Sequence, residues 1–388
     1  MSLVSTNGET PTLERVNVMK PWLGEEEAQA IAEVVASGWV AQGPKTAAFE
    51  QAFAQHQQVE HAVATSSCTT ALQLALLVAG VKPGDDVLVP SFSFIATANA
   101  PTYVGAHPIF VDVDEATGNV TAQTLDRGLT VATTAVIVVD QGGIPVDLAP
   151  IRQWCDLHGL KLIEDAACGA GSTYRGHPVG HGADVSAWSF HPRKLLTTGE
   201  GGMLTTNNQQ WADRARTLRE HAMGISAAER HSALVAPPES YAEIGYNFRM
   251  TDLQAAMGLV QLGKLDAMVA RRRELVEIYR RAIDDIKGLE LVADPDYGTS
   301  NFQSCWIKVL PEYGLDREEL LEHLGHRGIS ARRGIMAAHL QPAYSGLKNI
   351  GLPVTESLTN NTLILPLFHQ LGAAEQQRVI DALSNPGG

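Results

Sequence analysis

Three short stretches hold residues whose types and spacing could do chemistry together. SFHPRKLLTTGEGG (189–202) sets a single lysine, Lys194, between an apolar run and a glycine-rich turn. A neutral lysine amine condenses with an aldehyde, and burial near other positive charges lowers its pKa enough to permit this. LIEDAACGAG (162–171) ends an apolar run on Glu164 and Asp165. A carboxylate there needs solvent or a partner, so Asp165 is either a helix N-cap or the partner of a protonated ring nitrogen. TSSCTT (65–70) lies between strand-like and helix-like patterns. Its Ser66, Ser67, Thr69 and Thr70 either cap the helix or surround a phosphate at its N-terminus.

These stretches need a scaffold that brings them together. Short apolar runs at 61–67, 85–90, 108–114, 135–140, 160–166, 183–190 and 201–207 read as strands, and helical spacing recurs at 23–37, 69–80, 96–106, 149–158 and 211–223. Such alternation predicts a largely parallel sheet covered on both faces, with the active edge beyond the strand C-termini. Lys194, Asp165 and the TSSCTT turn all fall at that edge. Together they meet three demands of pyridoxal 5'-phosphate: an aldehyde-binding amine, a pyridinium partner and a phosphate pocket. Residues 226–243 read as irregular, either a loop near the site or a surface excursion.

A long helical pattern at 252–283 carries an interruption near Gly263. Strands at 289–293 and 303–310 and helices at 316–328 and 373–383 follow it. We therefore divide the chain into an N-terminal segment (1–20), a large domain (21–262) and a small C-terminal α+β domain (263–388).

With 45% hydrophobic and 19% charged residues, the chain has the material for a substantial core. A formal charge of −14 argues against nucleic acid or anionic membranes as partners. The four cysteines, Cys68, Cys155, Cys168 and Cys305, form no CxxC pair, which argues against a structural metal or a disulfide framework. The N-terminal residues lack a basic region followed by an apolar one, so the expected location is the cytoplasm.

The ordered motifs ATSSCTTALQLAL, VPSFSFIATANA, LIEDAACGAG, SFHPRKLLTTGEGG and GYNFRMTDLQAAMGLVQL make the chain resemble the DegT/DnrJ/EryC1/StrS family of sugar aminotransferases, from about Pro21 to the C-terminal helix. The resemblance implies a PLP fold-type I α/β architecture like that of aspartate aminotransferase, with a mainly parallel seven-stranded central sheet. It implies that Lys194 binds the cofactor aldehyde, that Asp165 pairs with the pyridine nitrogen and that Phe94 stacks on the ring. Ser67, Cys68, Thr69, Ser189 and Asn247 would surround the phosphate, Asn247 by reaching into the neighbouring site of a homodimer. His191, Arg249 and His339 are candidate substrate contacts, and Glu200 either lines the site or is structural.

The chain also departs from the family pattern. Cys168 stands where relatives have Gln or His near the ring oxygen, and Cys68 replaces the glycine of the phosphate turn. In VVDQGG (138–143), Asp140 and Gly142 replace a histidine and an aromatic residue. The resemblance implies transfer from an amino donor, expected to be L-glutamate, to a keto sugar, expected to be nucleotide-linked. Alternatives are a keto cyclitol or other non-nucleotide acceptor, or a non-catalytic regulatory protein retaining the fold. A lysine at 194 argues against the family's dehydratase-like branch, which has histidine there.

Overall fold

The computed structural model of the chain describes residues 14–223, 238–346 and 351–386. The apolar runs form the strands β1 (His61–Thr65), β2 (Asp86–Pro90), β3 (His107–Val111), β4 (Thr133–Val139), β5 (Lys161–Asp165), β6 (Val185–Ser189) and β7 (Gly202–Thr206). They make one seven-stranded sheet in the order β1-β7-β6-β5-β4-β2-β3. Four neighbouring pairs run parallel, and β7 runs antiparallel to both β1 and β6.

Because successive strand residues face opposite sides, each strand feeds two cores. Val87, Val89, Ile137 and Ile163 pack on one face with Leu72 and Ala75. Leu88, Val136, Val138 and Leu162 pack on the other with Ile151 and Cys155. The helices that complete these layers are α1 (Glu25–Ser37), α2 (Pro44–His56), α3 (Cys68–Val78), α4 (Ile95–Tyr103), α5 (Ala122–Asp126), α6 (Leu148–His158) and α7 (Gln209–Arg219). α2 has no counterpart in the sequence reading. Its N-terminal amides at Gly43, Lys45 and Thr46 donate to the Asp252 carboxylate at 2.8 to 2.9 Å.

Helix α8 (Asp252–Ile283) is 32 residues long and unbroken, so the interruption expected near Gly263 is absent. A Cβ at Gly263 would meet nothing within 4 Å, and neither a close approach nor a bend depends on this glycine. Gly258 packs on Phe49 of α2, whereas Leu275, Tyr279 and Ile283 belong to the core of a smaller sheet. Position 262/263, where the sequence reading divides the chain, therefore falls inside one continuous helix.

The smaller sheet contains β8 (Leu289–Leu291), β9 (Cys305–Val309), β10 (Arg332–Arg333) and β11 (Thr362–Leu365), antiparallel in the order β8-β9-β11-β10. α9 (Arg317–His326), α10 (Pro353–Asn361) and α11 (Ala373–Ser384) accompany it. Val16 joins this core through a bridge to Ile329. Of the irregular stretch expected at Ser226–Glu243, residues up to 237 lie outside the described residues. Among the described residues, no helix is long and apolar enough to cross a membrane.

Candidate active site

Asp165 is the last residue of β5 and is 4% exposed. The Thr97 hydroxyl donates to its Oδ2 at 2.7 Å, the Ala167 amide to Oδ1 at 3.2 Å, and the Cys68 thiol to Oδ1 at 3.8 Å. Burial pushes the carboxyl above its ordinary value, against the opposing effects of the Thr97 hydrogen bond and the Lys194 charge. Thr97, on α4, is itself 2.7 Å from the Ser93 hydroxyl. Sequence reasoning missed this residue, although it lies in the quoted SFSFIATANA motif.

Lys194 lies in the connection between β6 and β7, which pair from Ser189 opposite Gly202 onward. Its amide donates to the His191 carbonyl at 2.8 Å. Its Nζ donates to Cys168 Sγ at 3.1 Å. The cationic surroundings expected for this amine are not what the fold supplies. Burial alone would lower the lysine, but Cys168, Cys68 and Asp165 outweigh burial and hold it above its ordinary value. An ammonium among acids and thiols keeps its proton more tightly. The same environment raises the Cys68 thiol well above its usual value, chiefly through burial and then through the Asp165 charge.

The TSSCTT turn enters α3 with Ser67 as N-cap, its Oγ accepting the Thr70 amide at 3.2 Å while Thr70 Oγ1 accepts the Ser67 amide at 3.1 Å. The capping role is therefore filled. An anion site at the same turn is compatible with it, because the first turn of a helix retains amides without intrahelical acceptors. Gly202 pairs with Thr65 on one side and Ser189 on the other. A Cβ on it would lie 2.3 Å from the Ser67 carbonyl carbon. The missing side chain is what lets β7 close against this turn. Ser66, Ser67, Cys68, Thr69, Thr70 and Ser189 are all half-buried around it.

Other candidates differ in their surroundings. Phe94 is the N-cap of α4 and is 61% exposed. Asn247 is exposed, and the carbonyl of the following Phe248 accepts the Ser66 amide at 2.8 Å, so this segment runs beside the phosphate turn. Arg249 is half-buried and has no hydrogen-bond or ion-pair partner among the described residues. His191 is 4.0 Å from exposed Glu200, its Nδ1 accepts the Arg193 amide at 3.1 Å, and burial lowers its pKa. His339 is engaged at both ring nitrogens, by Ser91 Oγ at 2.6 Å and Glu356 at 3.4 Å.

Asp140 and Glu164, 0% and 2% exposed, are neighbours, Glu164 beside Asp165 on β5 and Asp140 just beyond the end of the adjacent β4. Asp140 Oδ1 accepts the Val146 amide at 3.1 Å, and Ser186 donates to Glu164 at 3.2 Å. Burial pushes Glu164 up to about 7 and raises Asp140 well above its usual range. Burial and the nearness of a second acid both disfavour ionising the two carboxyls together. Gly142 has φ 60°, and a Cβ there would lie 3.2 Å from Trp306 Nε1.

A buried acid, an amine and a helix N-terminus at the carboxyl edge of a mainly parallel sheet define a cofactor-dependent group-transfer enzyme. The chain belongs to the DegT/DnrJ/EryC1/StrS aminotransferase family, whose model matches residues 21–384. Among solved structures, it is similar to the aminotransferase TlmJ from Streptoalloteichus hindustanus, with 36% identity, coverage of 96% of this chain and 98% of that one, and a TM-score of 0.89. It is 27% identical to the PMP form of Spr1654 from Streptococcus pneumoniae, described as a putative sugar aminotransferase, over 95% and 98% of the two chains at a TM-score of 0.88. A PLP form of that protein matches as well. DesI, solved in the presence of its TDP-sugar product, shares 29% identity over 96% and 92% at a TM-score of 0.86. The protein is thus an aminotransferase of fold type I.

Proposed function

We propose that this aminotransferase moves an amino group from L-glutamate to a keto sugar carried on a nucleotide, acting as a cytoplasmic homodimer. Its cofactor is pyridoxal 5'-phosphate, and the residues present fit that group. Asp165 is a buried carboxylate to which a pyridinium N–H would bring opposite charge. The α3 turn, closed by Gly202, offers amides and hydroxyls to a phosphate. Phe94 offers an exposed ring face. What carries the reading is the placement of the Lys194 amine and the Asp165 carboxylate in one cluster, each touching a cysteine, at the ends of adjacent strands.

When bound, the cofactor supplies an aldehyde to take up the amino group and a ring that withdraws electrons from the adjoining carbon. Lys194 Nζ would hold that aldehyde, and as a free amine it would take the proton from the donor's α-carbon and return one in the second half. Asp165 keeps the ring nitrogen protonated, and Thr97 orients its carboxylate. Ser67, Cys68, Thr69 and Ser189 bind the phosphate, and Asn247 completes the neighbouring subunit's site. Cys168 lies beside Lys194 and would face the ring oxygen. Of the three candidate substrate contacts, Arg249 has its charge available for an anionic group of the acceptor, and burial lowers the pKa of His191. His339 acts through Ser91 and Glu356. Residues 21–262 would bind the cofactor and 263–388 would cover it.

The similarity to a protein solved with its TDP-sugar product supports a nucleotide-linked acceptor. The test is release of 2-oxoglutarate from L-glutamate against a panel of nucleotide-linked keto sugars and free keto cyclitols, with Lys194→Ala as control. Turnover confined to the cyclitols would overturn the substrate assignment. Unchanged turnover in Lys194→Ala would overturn the catalytic one.

A further inference from the structure

One connection in the C-terminal part of the chain touches three loops at the active edge of the large sheet. Asn301 is 0% exposed, and its Nδ2 donates to the carbonyls of Cys168 and Ala170, both at 2.7 Å. Gln303 Nε2 donates to the carbonyl of Arg193, the residue before Lys194, at 2.8 Å. The Ser304 amide donates to the Gly142 carbonyl at 3.0 Å. Residues 301–304 thereby join the loops that follow β4, β5 and β6.

The connection is held from behind by Arg272 of α8. This buried guanidinium has no carboxylate partner among the described residues. It donates to the carbonyls of Phe302 and Gln303 at 2.8 Å and of Leu367 at 3.0 Å. A planar fork with several fixed donors is suited to holding such carbonyls in place. Phe302 between the two amides has φ 50°, a conformation that a bulky residue adopts only where its surroundings impose it.

We propose that Asn301 and Gln303 are positioning residues for amino transfer, fixing the Lys194 loop against the loop that follows Asp165. The inference rests on the roles assigned above to Lys194 and Asp165. The side-chain link between those two loops is the contact of Lys194 Nζ with Cys168 Sγ. That contact must break whenever Nζ moves to take or give a proton. The hydrogen bonds that the Asn301 and Gln303 side chains give to backbone carbonyls do not depend on Nζ and preserve the register while the lysine works.

The test is hydrogen exchange on the full-length chain without added cofactor, together with steady-state kinetics of the loaded enzyme. Gln303→Leu should raise exchange in 191–196 by about 10-fold and leave the smaller sheet unchanged. It should lower kcat by about 10-fold with KM for both substrates within about 2-fold, because the loss falls on proton-transfer geometry. Asn301→Ala should raise exchange in 166–172 instead. Should that buried variant fail to fold, half-buried Gln303 decides the matter. Unchanged exchange at 191–196 in Gln303→Leu, or a uniform rise along the chain, overturns the proposal. A wild-type protein that fails to take up pyridoxal phosphate overturns the cofactor roles separately, while the exchange measurement still reads the clamp.

Discussion

The Nζ atom of Lys194 lies 3.1 Å from the Sγ atom of Cys168. The side-chain amine of the lysine therefore donates to a thiol from the loop after β5. A serine at 168 retains a hydrogen-bonding group, whereas valine removes it. Cys168→Ser should stay close to wild-type turnover, and Cys168→Val should lose about 2- to 10-fold, the worth of one modest hydrogen bond. Steady-state rates of both variants at saturating donor check this, and equal rates would show that the contact has no role.

Thr97 should govern how well Asp165 serves the ring nitrogen. Thr97→Val keeps the shape and removes the 2.7 Å donor to a buried carboxylate. Hydrogen bonds to charged groups are worth about 1.5–3 kcal/mol, so cofactor affinity should fall by about 10- to 100-fold. Equilibrium titration with pyridoxal phosphate measures it directly.

The Asp140 and Glu164 pair predicts a loss of stability as pH rises toward neutrality. Glu164 has a folded pKa raised from 4.5 to about 7, and Asp140 is raised as well. An acid with a raised folded pKa binds more protons folded than unfolded. Its stabilising effect is complete at low pH and declines as pH rises from the ordinary carboxylate range through about 7. Asp140→Asn removes one of the two raised carboxyls while burial still holds Glu164 up, so it should make that decline shallower without abolishing it. Urea denaturation across this range, wild type against variant, checks both the sign and its source.

Gly202→Ala should damage the phosphate turn. The added carbon would lie 2.3 Å from the Ser67 carbonyl carbon, so backbone must move. Overpacking of this kind costs about 1–3 kcal/mol, and more where backbone is the obstacle. Beyond the loss in denaturation midpoint, the variant should lose preference for pyridoxal phosphate over unphosphorylated pyridoxal. A binding comparison of the two compounds reads that preference.

The seven strands of the large sheet were legible because each is a short apolar run, and runs such as AVIVV have few other uses than a strand buried on both faces. α2 was not legible. Its sequence PKTAAFEQAFAQH has few apolar anchors, and its start is fixed by Asp252 from far along the chain. β11 was missed because TLIL is too short to distinguish from a turn of helix. At the site, Lys194, Asp165 and the serine turn stood out as polar residues at apolar strand ends. Thr97 and Asn301 did not, since a threonine in a helix and an asparagine in a loop acquire their roles only from partners brought in by the fold. The surroundings of Lys194 were misread for the same reason. Cys68, Cys168 and Asp165 are all distant from it in sequence, and only together do they outweigh burial.

The unbroken helix α8 is also a mechanical element. At 1.5 Å per residue, its 32 residues make a rod roughly 48 Å long. Near one end, Gln254 Nε2 holds the Glu200 carbonyl at 2.6 Å, in the turn after Lys194. Farther along, Arg272 grips the connection that reaches the other side of the lysine loop. Without a joint at Gly263, the rod has no soft middle in which to absorb a push. Rolling or sliding of the smaller sheet would therefore be felt on both flanks of Lys194 at once, as torque rather than as a local adjustment.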